Sequence, residues 1–279
     1  MTVVRDVAHL RDLIQDARAS GKSIAFVPTM GALHEGHLSL VRQAKRECGF
    51  VVVSIFVNPL QFGPGEDLAR YPRREREDLA ALEREAVDVV YLPSTNGLYP
   101  PGFSTGVEIA GVSEGGEGAI RPGHFRGVAT VVAKLFLQVS PDVAVFGRKD
   151  LQQVAVIRRM VRDLDFPLRL VVGETVREPD GLAMSSRNAY LSPEDRRLAS
   201  VLPRALFEAR DRAARGERDG GKLAASVRRE LEAAGLRVDY VEVVDPEMMA
   251  PASKAAPGTA LAAAVRIGNT RLIDNVLVP

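Results

Sequence analysis

The stretch Phe26-Val27-Pro28-Thr29-Met30-Gly31-Ala32-Leu33-His34-Glu35-Gly36-His37 leads a short apolar strand into a glycine-containing loop and then into the start of a helix. In an open α/β sheet this junction is where ligands bind, at the carboxyl end of a strand and beside a helix N-terminus. The first N–H groups of a helix have no carbonyl partner and sit at the positive end of its dipole, which favours phosphate. Gly31 and Gly36 let the backbone come close to such a ligand. His34 and His37 are three residues apart, so both face one side once a helical turn has begun. Imidazoles donate to phosphate oxygens and, when protonated, offset charge on a departing phosphate group. A plainer reading is that each histidine caps the helix or decorates the loop. The strand–loop–helix setting favours the phosphate reading.

Outward from this loop, compact apolar runs at 24–27, 50–57, 87–92, 143–146 and 168–172 suit buried strands. Between them Leu38, Val41, Ala44 and Cys48 recur at helical spacing, as do Val128, Val131, Val132, Leu135 and Val139, and then Val154, Ile157 and Val161. Strand–helix alternation of this kind predicts a Rossmann-like, doubly wound parallel sheet. The last third reads differently. Ser192-Pro193 opens an Ala/Arg-rich helix running towards Arg215, Gly220-Gly221 precedes a second helix at 222–234, and 238–244, 260–267 and 271–276 resemble strands. The expected division is an α/β domain over 1–175 and a smaller α+β domain over 176–279, with a loop at 251–257.

Composition narrows the function classes. Of the 279 residues 46% are hydrophobic and 26% charged, which is ordinary for a globular chain. A net charge of +1 gives no broad field for nucleic acid or an anionic membrane. The apolar run at 50–57 is far too short to span a bilayer as a helix. Cys48 is the only cysteine, so no intrachain disulfide forms, which fits a reducing compartment. The reading is a soluble cytoplasmic protein. His34-Glu35-Gly36-His37 is one residue short of the His-Glu-x-x-His zinc pattern, and no cysteine cluster offers structural zinc ligands. Neither a P-loop nor a Gly-x-Gly-x-x-Gly fingerprint is present.

Two further constellations carry chemistry. In Val145-Phe146-Gly147-Arg148-Lys149-Asp150-Leu151-Gln152-Gln153 a strand ends at Gly147 and a helix follows. Lys149 would project there as a point charge for phosphate, with Gln153 a turn further on for a polar substrate; a solvated turn is the alternative. In Gly181-Leu182-Ala183-Met184-Ser185-Ser186-Arg187-Asn188, hydroxyls and an arginine in a glycine-flanked loop suit a mobile phosphate clamp. Taken with the His-x-Gly-His segment, this loop resembles the paired His-Ile-Gly-His and Lys-Met-Ser-Lys-Ser signatures of the nucleotidyltransferase superfamily, whose members attack the α-phosphorus of ATP and release pyrophosphate.

The whole chain resembles the pantoate–β-alanine ligase (pantothenate synthetase) family. The resemblance rests on residues 28–37, on Ser54-Ile55-Phe56-Val57-Asn58-Pro59-Leu60-Gln61-Phe62, on Arg121-Pro122-Gly123-His124-Phe125-Arg126-Gly127-Val128, and on Phe146-Gly147 with Lys149-Asp150. Met184-Ser185-Ser186-Arg187-Asn188 and Arg271-Leu272-Ile273-Asp274-Asn275 complete it. It implies that the pantoate carboxylate attacks Mg·ATP to give pantoyl adenylate and pyrophosphate, and that β-alanine then displaces AMP. It also implies residue roles. His34 and His37 would contact the ATP phosphates, with His37 the proton donor to the leaving group. Met30, Gly31, Ala32, Leu33, Glu35 and Gly36 would line the nucleotide site. Gly147, Arg148, Lys149, Asp150, Val176, Met184, Ser185, Ser186 and Arg187 would complete it, with Lys149 counted as catalytic. Gln61 and Gln153 would bind pantoate, Gln61 also bordering β-alanine and Asn58 orienting the region. Glu77 and Asp78 are the candidates for the Mg2+ environment, a solvated helix face being the alternative for so short an acidic pair, and Arg121 and His124 sit at the rim or are structural. The small domain would close over the active site, and a homodimer is the family expectation.

Arg148 departs from the pattern, since the family has an acidic or amide residue between Phe-Gly and Lys-Asp. It adds charge beside Lys149, either for phosphate or towards solvent. The main alternative function is an adenylyl- or cytidylyltransferase of the same superfamily, which the His-x-Gly-His loop alone would satisfy. It gives no reason for Gln61, Gln153 and the C-terminal domain to occur together. A nucleotide-binding regulator without catalysis is the third reading.

Overall fold

The computed structural model describes residues 1–279. In chain order its first elements are β1 (Thr2–Val4), α1 (Val7–Ala19), β2 (Ile24–Thr29), α2 (Glu35–Glu47), β3 (Phe50–Ile55), α3 (Glu75–Arg84), β4 (Val89–Tyr91) and α4 (Thr95–Leu98). There follow α5 (Gly116–Ile120), α6 (His124–Val139), β5 (Val143–Gly147), α7 (Leu151–Asp163) and β6 (Arg169–Gly173), and then α8 (Pro193–Ala199), α9 (Val201–Ala214), α10 (Gly220–Ala233), β7 (Arg237–Val244), β8 (Ala260–Ile267) and β9 (Thr270–Leu277). Two units emerge. The first holds 1–109, 121–148 and 156–174; the second holds 110–120, 149–155 and 175–279. The second unit therefore includes two segments that a single cut after residue 175 leaves in the first.

In the first unit six strands run parallel in the order β1-β4-β3-β2-β5-β6. Ile24, Ala25, Phe26 and Val27 of β2 are wholly buried, because β2 is central and helices cover both faces; that is why its sequence is continuously apolar rather than alternating. Leu40, Val41 and Ala44 of α2 pack on one face, in a cluster with Ala25, Val27, Val51 and Val53. On the other, Phe26 and Phe146 meet Phe136 of α6 edge-on. From β2 the chain builds outward to β3 and β4 on one side and, later, to β5 and β6 on the other. The order thus reverses between β2 and β5, and ligands bind outside the carboxyl ends of strands at such a switch point. The loop after Thr29 and the turn after Gly147 both leave the sheet there.

The second unit holds the antiparallel sheet β7-β8-β9. Leu202, Leu206 and Ala209 of α9 and Leu223, Val227 and Leu231 of α10 form one core with Leu261, Ala263, Val265, Leu272 and Val276 of the strands. The single helix expected from 193 to 215 is two, α8 and α9. Pro203 has no N–H to return to the Ala199 carbonyl, so the chain breaks at Ser200. No helix is long and apolar enough to cross a membrane.

Candidate active site

The candidate residues fall in both units, and each set is held by its own unit. In the first, the loop between β2 and α2 is bent into a tight left-handed arch. Gly31 has φ +81° and Ala32 φ +50°, the latter a conformation that costs a non-glycine residue about 1–2 kcal/mol. A Cβ on Gly31 would lie 3.0 Å from Asp78 Oδ2 and 2.9 Å from an Ile55 methyl, so glycine is required by space as well as by φ. Asp78, buried in the first turns of α3, holds the arch: its Oδ2 accepts the Ala32 N–H at 2.8 Å and its Oδ1 the Leu33 N–H at 2.7 Å. Burial pushes the Asp78 carboxyl above the ordinary aspartate range, against the pull of those two N–H groups.

Asp78 thus has a structural use beside the Mg2+ environment expected of Glu77 and Asp78. Adjacent helical residues point about 100° apart; Glu77 is exposed while Asp78 turns inward onto the loop. The two carboxylates therefore do not share one face, and no group of three or more His, Cys, Asp or Glu side chains is arranged to hold a metal ion.

The arch delivers His34 to the N-cap of α2. His37 Nδ1 accepts the His34 N–H at 3.3 Å, and the two rings lie 4.1 Å apart between centroids. With Nδ1 an acceptor, the proton of neutral His37 sits on Nε2, the tautomer suited to donate to an oxyanion. Capping and phosphate chemistry are therefore compatible in one side chain. The N–H groups of Glu35 and Gly36 precede the first helical acceptor and add to the electropositive end.

Asn58 and Gln61 lie on the one-turn 3-10 helix Pro59–Gln61 and its cap. Both are buried. Asn58 Nδ2 donates to Gln61 Oε1 at 3.0 Å and to the Gly127 carbonyl at 3.1 Å, while Tyr99 Oη donates to Asn58 Oδ1 at 2.8 Å. Gln61 Nε2 in turn contacts Met30 Sδ at 3.1 Å. Burial raises the Tyr99 phenol well above its ordinary value, so it remains a neutral donor. Gly127 permits this packing, because a Cβ there would lie 2.2 Å from the Leu60 carbonyl oxygen. Arg121 and His124 serve the same turn. His124 Nδ1 donates to the Gln61 carbonyl at 2.8 Å, so its Nε2 accepts from Arg121 Nη1 at 3.0 Å, and Arg121 is anchored by Glu66. A cavity of about 370 Å³ opens beside Gln61, with Phe103, His124, Arg126 and Thr130 in its walls.

Arg148, at the end of β5, pairs with Glu174 at 2.8 Å, which partly neutralises the charge it adds. In the second unit Lys149 lies 4.0 Å from Asp150. Gln153 is on the first turn of α7, next to the buried Gln152, which donates to the Val112 and Gly115 carbonyls and accepts the Glu117 N–H. Val176 accepts the Met184 N–H at 3.0 Å, closing a short hairpin with a bridge between Arg177 and Ala183. Ser185 caps the 3-10 turn Ser186–Tyr190, and Asn188 ties that turn back to Glu178 and the Ala183 carbonyl. Thus the hairpin displays Met184 to Arg187 on a braced stem. Sequence reasoning gave no role to Tyr99, Gly127 or Arg177, and did not anticipate the backbone contacts of Asp78. A glycine inside the strongly helical run 124–139 was the one available signal, for Gly127.

The sequence model of the family described as pantoate-beta-alanine ligase matches residues 2–277. A pantothenate synthetase of Anaeromyxobacter dehalogenans is 58% identical over 99% of this chain and 98% of its own. The crystal structure of pantothenate synthetase from Thermus thermophilus superposes with a TM-score of 0.95 at 50% identity, covering 100% of this chain and 99% of that one. That of the pantoate-beta-alanine ligase from Francisella tularensis, complexed with beta-gamma ATP and beta-alanine, does so at 0.82 and 33% identity over 99% and 97%. With matches of this extent around a histidine-capped, electropositive loop, the chain belongs to the pantoate–β-alanine ligase family.

Proposed function

We propose that this chain condenses pantoate with β-alanine at the expense of ATP, giving pantothenate, AMP and pyrophosphate through a pantoyl-adenylate intermediate. The observation that carries the chemistry is the His34–His37 pair at the N-terminus of α2, where His37 Nδ1 accepts the His34 N–H and so leaves Nε2 as the ring donor. Family membership over residues 2–277 carries the choice of substrates and disfavours the nucleotidyltransferase alternative.

In the first half-reaction a pantoate carboxylate oxygen bonds to the α-phosphorus of Mg·ATP, and the bond from that phosphorus to the bridging oxygen of pyrophosphate breaks. His37 donates its Nε2 proton or hydrogen bond to the departing oxyanion, with His34 and the first-turn amides sharing the charge. Met30 to Gly36 line the nucleotide, and Lys149 acts on its phosphates with Gly147, Asp150, Val176 and Met184 to Arg187. Magnesium arrives with ATP as part of the substrate. Gln61 and Gln153 hold pantoate, and Asn58 fixes the Gln61 amide so that its remaining hydrogen-bonding capacity faces substrate. In the second half-reaction the neutral amine of β-alanine bonds to the acyl carbon, loses a proton, and AMP leaves with the acyl-adenylate oxygen. Water must be kept from the mixed anhydride, which is the role assigned to closure of the C-terminal unit. A cytoplasmic homodimer completes the reading.

Product analysis with purified protein, Mg·ATP and pantoate, with and without β-alanine, tests it. Pyrophosphate release that requires pantoate, with AMP and pantothenate accumulating only when β-alanine is added, is expected. ADP and phosphate as products would replace the adenylate with an acyl phosphate.

A further inference from the structure

The closing motif Arg271-Leu272-Ile273-Asp274-Asn275 has no part in the reaction as described. Within the second unit, Asp274 and Asn275 lie inside β9, in register with Ala263 and Ala262 of β8. Successive side chains on a strand point to opposite faces. Asp274 shares its face with Leu272 and Val276, which belong to the apolar core. A carboxylate in that position is costly unless its oxygens are fully paired, and burial pushes the Asp274 carboxyl up in spite of its partners. Arg177 answers it from the hairpin: Nη1 donates to Oδ2 at 2.7 Å and Nη2 to Oδ1 at 2.9 Å, while the Asn275 N–H donates to Oδ1 at 2.7 Å. The same guanidinium donates to the Gly181 carbonyl at 3.0 Å and lies over the Phe207 ring. On the opposite face of β9, Asn275 Nδ2 donates to the main-chain carbonyl of Lys149 at 3.0 Å.

Well-packed apolar residues commonly stabilise a core as well as a buried ion pair does, so stability alone does not account for this arrangement. Its distinguishing property is what it joins. One face of a strand dipeptide grips the hairpin that carries Val176 and leads into Met184 to Arg187, and the other grips the Lys149 turn. We propose that Asp274 and Asn275 are positioning residues for ATP activation, holding the Lys149 turn and the 176–187 hairpin in one fixed relation. The inference rests on the reading of Lys149 and of Met184 to Arg187 as ATP contacts.

The test compares Asn275→Ala, Arg177→Lys and Lys149→Ala in the full-length enzyme, by pantoate-dependent pyrophosphate release and by the KM values for ATP and β-alanine. Asn275→Ala should raise the KM for ATP about tenfold, the scale of a sub-ångström misplacement, with the KM for β-alanine unchanged. Arg177→Lys keeps a cation for Asp274 but loses the two-pronged grip, and should shift the same constant in the same direction. It carries the test if Asn275→Ala does not fold. The double variant Asn275→Ala with Lys149→Ala should be no worse than Lys149→Ala alone, because the asparagine acts through that turn. A merely structural role would lower the thermal midpoint and the active fraction while leaving the KM for ATP as it was. An unchanged KM for ATP in folded variants, beside an impaired Lys149→Ala, overturns the inference, as does full multiplicativity in the double variant. Wild-type turnover by Lys149→Ala would instead remove the ATP reading of Lys149, and the inference with it.

Discussion

Replacing Asp78 by Asn separates what this carboxylate does for the loop from what it does for stability. The aspartate accepts two backbone N–H groups, from Ala32 and Leu33. Hydrogen bonds to a charged acceptor contribute about 1.5–3 kcal/mol each. Asparagine keeps one oxygen and turns an N–H₂ towards the second backbone donor, leaving that donor unsatisfied at about 1–3 kcal/mol. Against this, a neutral amide is cheaper to bury than a carboxylate whose protonated form burial already favours. The two contributions oppose each other, so the net loss of stability stays within about 2 kcal/mol.

The loop has no such compensation. Ala32 sits at φ +50°, which costs about 1–2 kcal/mol, and one neutral hydrogen bond of about 0.5–1.5 kcal/mol no longer exceeds that strain. The arch then relaxes, and His34 and His37 move with it. Losing about 1.5–3 kcal/mol of loop placement predicts a fall of roughly one to two decades in kcat/KM for ATP. The assay is initial-rate pyrophosphate release against ATP concentration, with thermal unfolding of the same preparation. Acid gives a second signature. The folded carboxyl titrates above its unfolded value, so its contribution to stability is fully present below the unfolded value and is lost as pH rises through the folded one. Activity has the opposite sign, because a protonated Asp78 presents an O–H to one of its two donors. Wild-type kcat/KM should therefore fall on acidification while this site gains stability, and Asp78→Asn should lack that limb. A folded Asp78→Asn enzyme with wild-type kcat/KM for ATP would refute the reasoning.

Three other outcomes are expected. His37→Ala should depress pantoate-dependent pyrophosphate release by about 10²-fold or more, the scale of a lost acid or oxyanion donor, with an unfolding midpoint only slightly lower; near-normal turnover would remove His37 from the mechanism. Gly127→Ala sets a methyl 2.2 Å from the Leu60 carbonyl oxygen, and should displace the 59–61 turn, costing about 1–3 kcal/mol of stability and raising the KM for pantoate more than that for ATP. Asp239 is pushed up by burial but held below the ordinary value by Arg271 and Arg266 together, so its contribution to stability is present above the unfolded aspartate value and lost as pH falls through the lower folded one; Asp239→Asn should flatten that part of the acid-unfolding curve, and an unaltered curve would contradict the pairing.

Long, strongly patterned elements were legible in the sequence. The continuously apolar β2 and the helical spacing in α6 identify themselves, because a central parallel strand and a buried helix leave little room for polar residues. Edges were not. β1 has three residues and no room to express a period. The broken α8–α9 boundary turns on the missing N–H of Pro203, which reads equally well as an early position in a helix. The domain boundary was legible only as one cut, since nothing in 110–120 or 149–155 says that these segments pack with the C-terminal sheet. The Glu117–Arg271 pair at 2.7 Å and the Gln152 hydrogen bonds hold them there, and both are contacts at long sequence separation.

The same limit governs the site. His34 and His37 could be named because a helix start is local: three residues decide both the cap and the tautomer. The hold of Asp78 on the loop was not legible because its partners are 45 and 46 residues away. From sequence alone an acidic pair on an amphipathic helix offers only a solvated face or a metal. A third use, as acceptor for the N–H groups of a left-handed loop, depends on a strand, an arch and a helix meeting in three dimensions. The arch turns the Ala32 and Leu33 N–H groups towards α3, and the Asp78 carboxylate answers each with a separate oxygen. Once that geometry is known, the buried carboxylate and the strained alanine explain each other: the charge is tolerable because two donors face it, and the strain is tolerable because the charge holds them.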